Sequence, residues 1–185
     1  SEEPLNGGPQ LGAMAASYIT PTELFFVRNH GPVPVVDPAA YRLSVAGLVT
    51  RPGVFSLADL AADFERVSVT STLACAGQRR QEMSAVAPIP VELPWGAEAV
   101  STAVWSGWRL ADVLQACGLE PGALHVAFEG LDDVERRGEH FKYGASIPLE
   151  KALAPEVLLA DTMNGQPLPP DRGQRTNLLS LAQGI

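Results

Sequence analysis

Hydrophobic and polar residues alternate along several short stretches of this chain. Val67, Val69 and Leu73 alternate with Ser68, Thr70 and Thr72, the period of two that sets one face of a strand on a core and the other in water. Tyr41, Leu43 and Val45, alternating with Arg42, Ser44 and Ala46, predict a second strand ending at Gly47. Leu124, Val126 and Phe128 predict a third, with His125 on its other face as a satisfied structural histidine. Residues Val157 to Ala160 read as a fourth, and Asn164-Gly165 is a strong hairpin-turn signal. Helical spacing is rarer. Leu57 to Phe64 predicts a short helix capped by Ser56. Leu110, Val113, Leu114 and Cys117 share one face of a helix that Gly118 closes. Ser146 and Pro148 open a helix that Pro155 ends, and Thr20-Pro21-Thr22-Glu23 predicts a single helical turn. The charged run from Glu129 to Glu139 reads as a turn-rich loop, and residues 1–17 as a weakly patterned surface segment. These elements predict an α+β fold, a mixed β-sheet with short helices.

Composition narrows the picture. With 185 residues, 46% of them hydrophobic, one domain with a substantial core is expected. Sixteen prolines and 17 glycines argue against a helical bundle and for short strands joined by turns. A net charge of −8 without a basic run argues against a nucleic-acid surface. No apolar run approaches the length of a membrane span, and Ser1-Glu2-Glu3-Pro4 is not a signal peptide. A cytoplasmic location is therefore expected, or a periplasmic one if a signal peptide has been removed. Cys75 and Cys117 make neither a disulfide framework nor zinc-like pairing.

Candidate chemistry gathers where the first strand ends. Continuing its alternation puts Cys75 on the face of Val67, Val69 and Leu73, just before Gly77 and the pair Arg79-Arg80. Neighbouring guanidiniums favour a thiolate, a soft ligand for a redox-active metal. The alternative for a cysteine in an apolar run is an inert core residue, which is the reading for Cys117. Arg28 and His30 lie on loop-like backbone, because Pro32 and Pro34 forbid a central strand. They are surface residues of a turn or an anion-binding pair, the planar fork of arginine suiting oxyanions. Trp95 ends a Pro-rich stretch containing Pro88, Pro90 and Pro94, where its ring could pin that stretch by packing.

Cys75-Ala76-Gly77-Gln78-Arg79-Arg80, with Glu82-Met83 after it, resembles the molybdenum-ligand motif of the sulfite oxidase and plant nitrate reductase family, with Gln78 where the family has asparagine. The stretch Phe25-Phe26-Val27-Arg28-Asn29-His30-Gly31-Pro32-Val33-Pro34 resembles a second family motif. Glu129-Gly130-Leu131-Asp132, Tyr143 to Leu149 and Met163 to Pro169 follow in the family's order. The resemblance implies a sulfite-oxidase-type molybdopterin domain over residues 18–173, incomplete because the family's later segments and its immunoglobulin-like dimerisation domain do not follow. Residues 174–185 read as a divergent tail. It further implies a molybdenum–molybdopterin cofactor with Cys75 as metal ligand. Arg28, Arg80 and Trp95 would face the substrate. Phe26, Val27, Arg28, Asn29, His30, Asp132 and Arg172 would contact the cofactor, Arg172 standing where the family has a histidine.

The implied activity is oxidation of sulfite to sulfate by oxo transfer at a Cys-ligated molybdenum. Reoxidation would use oxygen or a separate carrier, since these residues contain no haem-binding segment, and full-length relatives would be homodimers. Two other readings stay open: a nitrate reductase-type molybdenum domain, and a non-catalytic remnant keeping only part of the cofactor-binding fold. A third, a thiol redox protein using Cys75, is weak for want of a second nearby cysteine. On its own the 185-residue chain is expected to hold the cofactor poorly and to leave a sheet edge open.

Overall fold

The computed structural model describes residues 4–90, 92–136 and 138–169 and, for the backbone alone, 176–182. In chain order the elements are β1 (Asn6–Gly7), α1 (Leu11–Met14), a 3-10 turn (Thr22–Leu24), β2 (Val27–Arg28), β3 (Leu43–Gly47), β4 (Gly53–Phe55), α2 (Leu57–Asp63) and β5 (Arg66–Ala74). They continue with α3 (Arg80–Val86), β6 (Val100–Arg109), α4 (Leu110–Cys117), β7 (His125–Arg136), β8 (Glu139–Pro148), α5 (Leu149–Ala152), β9 (Leu158–Met163), β10 (Gln166–Pro167) and β11 (Thr176–Ala182).

The strands form a two-stranded ribbon, β1-β2, and two larger sheets ordered β10-β9-β6-β5 and β4-β3-β11-β7-β8. Strand β11 runs parallel to β3 and every other pairing is antiparallel, so the second sheet is mixed. Residues 176–182, set apart in the sequence as a divergent tail, thus run between β3 and β7. The edges of that sheet are β4 and β8.

Helix α4 carries the main core. Leu110, Val113, Leu114 and Cys117 are all buried on it, packed with Leu43, Val45, Trp108 and Val126. Gly118 closes it at φ +72°, in the left-handed region. A capping box starts α2: Ser56 Oγ accepts from the Asp59 N–H at 3.1 Å, and Asp59 Oδ2 accepts from the Ser56 N–H at 2.8 Å. A second, smaller cluster of Phe25, Ala103, Trp105, Met163 and Leu168 lies against the four-stranded sheet.

Several expectations need correction. Residues 129–139 are not a loop. β7 runs through to Arg136 and pairs with β8, with a register shift between Glu129 and Asp133. The acidic run hid the alternation, in which Asp132 and Val134 are buried while Asp133 and Glu135 are exposed. Ser146 belongs to β8, and the following helix starts only after Pro148. Strand β9 begins at Leu158 and runs to Met163. His125 is not satisfied among the described residues, since its Nδ1 is buried without a hydrogen-bond partner. Strand β6 and helix α3 had no counterpart in the sequence pattern.

Candidate active site

Strand β5 pairs with β6 over nine rungs, from Arg66 opposite Trp108 to Ala74 opposite Val100, and this delivers Cys75 at its end. Val67 and Val69 are half-buried as the alternation requires, whereas Leu73 is exposed and Cys75 half-buried. Beyond the strand, the chain from Cys75 into α3 is laced to residues 93–99. The Cys75 N–H donates to Ala99 O at 2.9 Å, the Arg79 N–H to Gly96 O at 2.8 Å and the Gln81 N–H to Trp95 O at 2.9 Å. Gln78 Nε2 adds a bond to Ala97 O at 2.8 Å.

Within the loop the Gly77 N–H points at Cys75 Sγ, 3.4 Å away. The Arg80 guanidinium lies over Gly77 so closely that a Cβ there would meet Nη2 at 2.5 Å. Nη1 of Arg80 donates to Leu93 O at 2.7 Å and lies 3.8 Å from Glu92 Oε2. Arg79, by contrast, turns to solvent and pairs with Glu82. Only one of the two consecutive arginines faces inward.

The Arg28 loop is built differently. Asn6 of β1 pairs with Arg28 of β2. Asn6 Oδ1 accepts from the Asn29 N–H at 2.8 Å and from Arg28 Nη1 at 3.3 Å. Asn29, fully buried, donates through Nδ2 to Leu5 O at 2.8 Å. Two residues on, a Cβ at Gly31 would meet Asp133 O at 2.2 Å, so only glycine lets this loop lie against β7. That approach stacks the His30 ring on Tyr143, with centroids 4.6 Å apart and planes 21° from parallel. Burial lowers the His30 pKa from its ordinary value, the Arg28 charge lowers it further, and Asp132, 1% exposed, opposes them.

The two loops meet. Phe26 and Trp95 make an edge-to-face contact with centroids 6.4 Å apart, and the Phe26 N–H reaches Ser101 Oγ of β6 at 3.3 Å. Glu92 joins Arg80 to Arg136, and both Glu92 and Arg136 act on His30. Cys75, Arg80, Trp95 and Phe26 therefore adjoin the cluster of Val27, Arg28, Asn29, His30 and Asp132. Arg172 lies outside the described residues. Nothing in the sequence pattern points to Asn6, which lies in the weakly patterned segment 1–17, or gives a role to Tyr143, which lies in one of the family's motifs.

The sequence profile described as "Oxidoreductase molybdopterin binding domain" matches residues 30–178. The chain belongs to this family. Sulfite oxidase of Gallus gallus is 49% identical over 176 residues, which are 92% of this chain and 38% of that protein. Mitochondrial sulfite oxidase of Homo sapiens is 48% identical over 94% of this chain and 32% of its own length. Nitrate reductase [NADH] 1 of Oryza sativa subsp. japonica is 45% identical over 93% and 19%. The chain thus spans well under half the length of these relatives. Among solved structures, the sulfane dehydrogenase SoxCD of Paracoccus pantotrophus superposes with a TM-score of 0.76 at 24% identity, over 91% of this chain and 44% of that one. The mixed sheets and short helices are the fold of this molybdopterin-binding family.

The residues present suit such a cofactor. Among the described residues Trp95 Nε1 and Gln78 Oε1, on either side of the laced contact, are buried with no hydrogen-bond partner. One is a donor and one an acceptor, and leaving either unmet is costly. A polar heterocycle seated beside the cysteine loop would answer both.

Proposed function

We propose that this domain holds a molybdenum–molybdopterin cofactor through Cys75 and oxidises sulfite to sulfate. The carrying observation is the half-buried Cys75 sulfur at the end of β5, met by the Gly77 N–H inside a loop laced by main-chain bonds. When bound, the cofactor would supply the two-electron oxo-transfer chemistry.

This chain's own residues would do the rest. Cys75 offers one sulfur ligand, and among the described residues no cluster of three His, Cys, Asp or Glu side chains could hold a metal. Such a donor set suits a metal whose other ligands arrive with its cofactor. Arg28, which makes no ion pair among the described residues, would offset the charge of a bound oxyanion, with Arg80 as the second guanidinium. Charge-assisted hydrogen bonds of this kind contribute roughly 1.5–3 kcal/mol each. Trp95 would exclude water from the wall. Phe26, Val27, Asn29, His30 and Asp132, together with Arg172, would hold the pterin. The electron acceptor would be oxygen or a separate carrier.

The test is molybdenum content together with sulfite and nitrate turnover after cofactor loading. The unaltered chain, although expected to hold the cofactor poorly on its own, should retain more molybdenum than its Cys75→Ser variant and turn over sulfite in preference to nitrate. Cys75→Ser should lose the metal, and Cys117→Ser, altering a core thiol, should keep it. Metal retention and turnover in Cys75→Ser would overturn the assignment. Nitrate turnover exceeding that of sulfite would move it to the nitrate reductase type.

A further inference from the structure

Among the described residues Asn6 is the polar side chain through which the N-terminal segment enters the candidate site, and it is 7% exposed. Its carboxamide is used at both ends. Nδ2 donates to Pro4 O at 2.8 Å, which fixes the orientation of the amide and leaves Oδ1 as the acceptor. That oxygen receives both the Asn29 N–H and the Arg28 Nη1. Arg28 Nη1 donates as well to Asn29 O, so one nitrogen of the guanidinium is tied down twice. Among the described residues no partner occupies the other two nitrogens.

We propose that Asn6 is a positioning residue, setting the Arg28 guanidinium to receive a tetrahedral oxyanion while it holds the buried Asn29 main chain beside it. The inference rests on the reading of Arg28 as an anion-binding group. An arginine side chain has many rotamers in solution, and ordering it before the anion arrives removes that cost from binding. Asn6 does this with a neutral oxygen. A carboxylate in its place would compete with the anion for the same guanidinium. The register of β1 on β2, with Asn6 opposite Arg28, brings the two residues together although 22 positions separate them.

The experiment is calorimetric titration of the purified chain with sulfate, for the unaltered protein, Arg28→Gln, Asn6→Ala and the double variant. Arg28→Gln should weaken sulfate by about tenfold or more, and Asn6→Ala by roughly three- to tenfold. If Asn6 acts through Arg28, the double variant binds no more weakly than Arg28→Gln alone. Additive losses, or an Asn6→Ala variant with unaltered affinity, would overturn the positioning role. Sulfate binding indifferent to Arg28→Gln would instead overturn the anion-binding reading beneath it. Should Asn6→Ala fail to fold, Asn6→Asp keeps the oxygen that accepts from Asn29. It should fold and still weaken sulfate, because its charge engages Arg28, and unaltered sulfate affinity in that variant would also refute the proposal. Repeating the titration after cofactor loading identifies the anion: sulfate excluded by the cofactor marks Arg28 as contacting its phosphate, and sulfate still bound marks the substrate side.

Discussion

The two loops that build the candidate site are secured in opposite ways. The Cys75 loop is held mainly by main-chain bonds, its N–H groups donating to the carbonyls of Trp95, Gly96 and Ala99, with Gln78 and Arg80 adding one side-chain bond each. The Arg28 loop, past the short β1–β2 pairing that leads into it, hangs on side chains, or on the lack of one: Asn6 and Asn29 carry its hydrogen bonds, and Gly31 allows its contact with β7. A loop held by its backbone leaves its side chains available for chemistry, because changing them does not unlace it. In a loop held by side chains, the residues that bind are also those that stabilise. Substitutions in the second loop should therefore lower stability and ligand affinity together, while those in the first should separate the two.

The widest separation is expected between two glycines. At Gly31 a new Cβ meets the Asp133 carbonyl at 2.2 Å, and backbone on both sides must shift. Gly31→Ala should cost about 2–3 kcal/mol, the upper part of the range for overpacking. At Gly77 the obstacle is the Arg80 guanidinium at 2.5 Å, the far end of a flexible side chain. Gly77→Ala should cost about 1 kcal/mol, for the displaced bond to Leu93 O. Urea unfolding of both variants measures the difference. Equal losses would show that the two loops are not held differently after all.

A smaller effect concerns pH. Burial, aided by the Arg28 charge, lowers the pKa of His30 below its ordinary 6.5. The folded loop therefore binds a proton less readily than the unfolded chain. The stability this contributes is present above pH 6.5 and is lost as pH falls through the lowered value. His30→Gln should flatten the dependence of the melting temperature between about pH 7.5 and 5.5. An unchanged profile would place the pH response elsewhere.

How far these arrangements could be seen in the sequence depended on whether their cause was local. Helix α4 was legible because Leu110, Val113, Leu114 and Cys117 repeat at helical spacing and Gly118 ends them. Strand β5 was legible as a half-buried edge, its partner β6 not at all. β6 lies between β5 and β9 and buries residues on both faces, including Ser101 and Thr102. Its polar side chains find partners across the sheet, Thr102 with Thr72 and Ser106 with Ser68, each at 2.8 Å. Read in one dimension, those hydroxyls resemble a surface. Asp132 was masked similarly, an acidic residue buried on the inner face of a strand among exposed charges. In the site, motif resemblance named Cys75, Arg28, Asn29 and His30 without placing them. Asn6 and Tyr143 act through contacts with residues distant in sequence, the register of β1 on β2 and a ring stack across more than one hundred residues. No local pattern encodes either.

The smallest effect should come from the residue the sequence made most conspicuous beside Arg80. Arg79 has a left-handed backbone, φ 60°, which turns its side chain out to a pair with Glu82 at 2.5 Å, the two side chains 64% and 54% exposed. Ion pairs of this exposure are screened by salt and contribute little. The role of Arg79 in the loop is carried by its N–H on Gly96 O, which any residue but proline retains. Glutamine tolerates the same backbone about as well as arginine. Arg79→Gln should leave both the unfolding midpoint and sulfate affinity unchanged. Arg80→Gln, with a side chain 17% exposed and bonded to Leu93 O, should weaken sulfate several-fold while the loop stays laced. Sulfate titration of the two variants under one salt condition decides. A loss of affinity in Arg79→Gln as large as that in Arg80→Gln would mean that the outward arginine also reaches the anion, and that main-chain lacing does not fix which arginine faces the site.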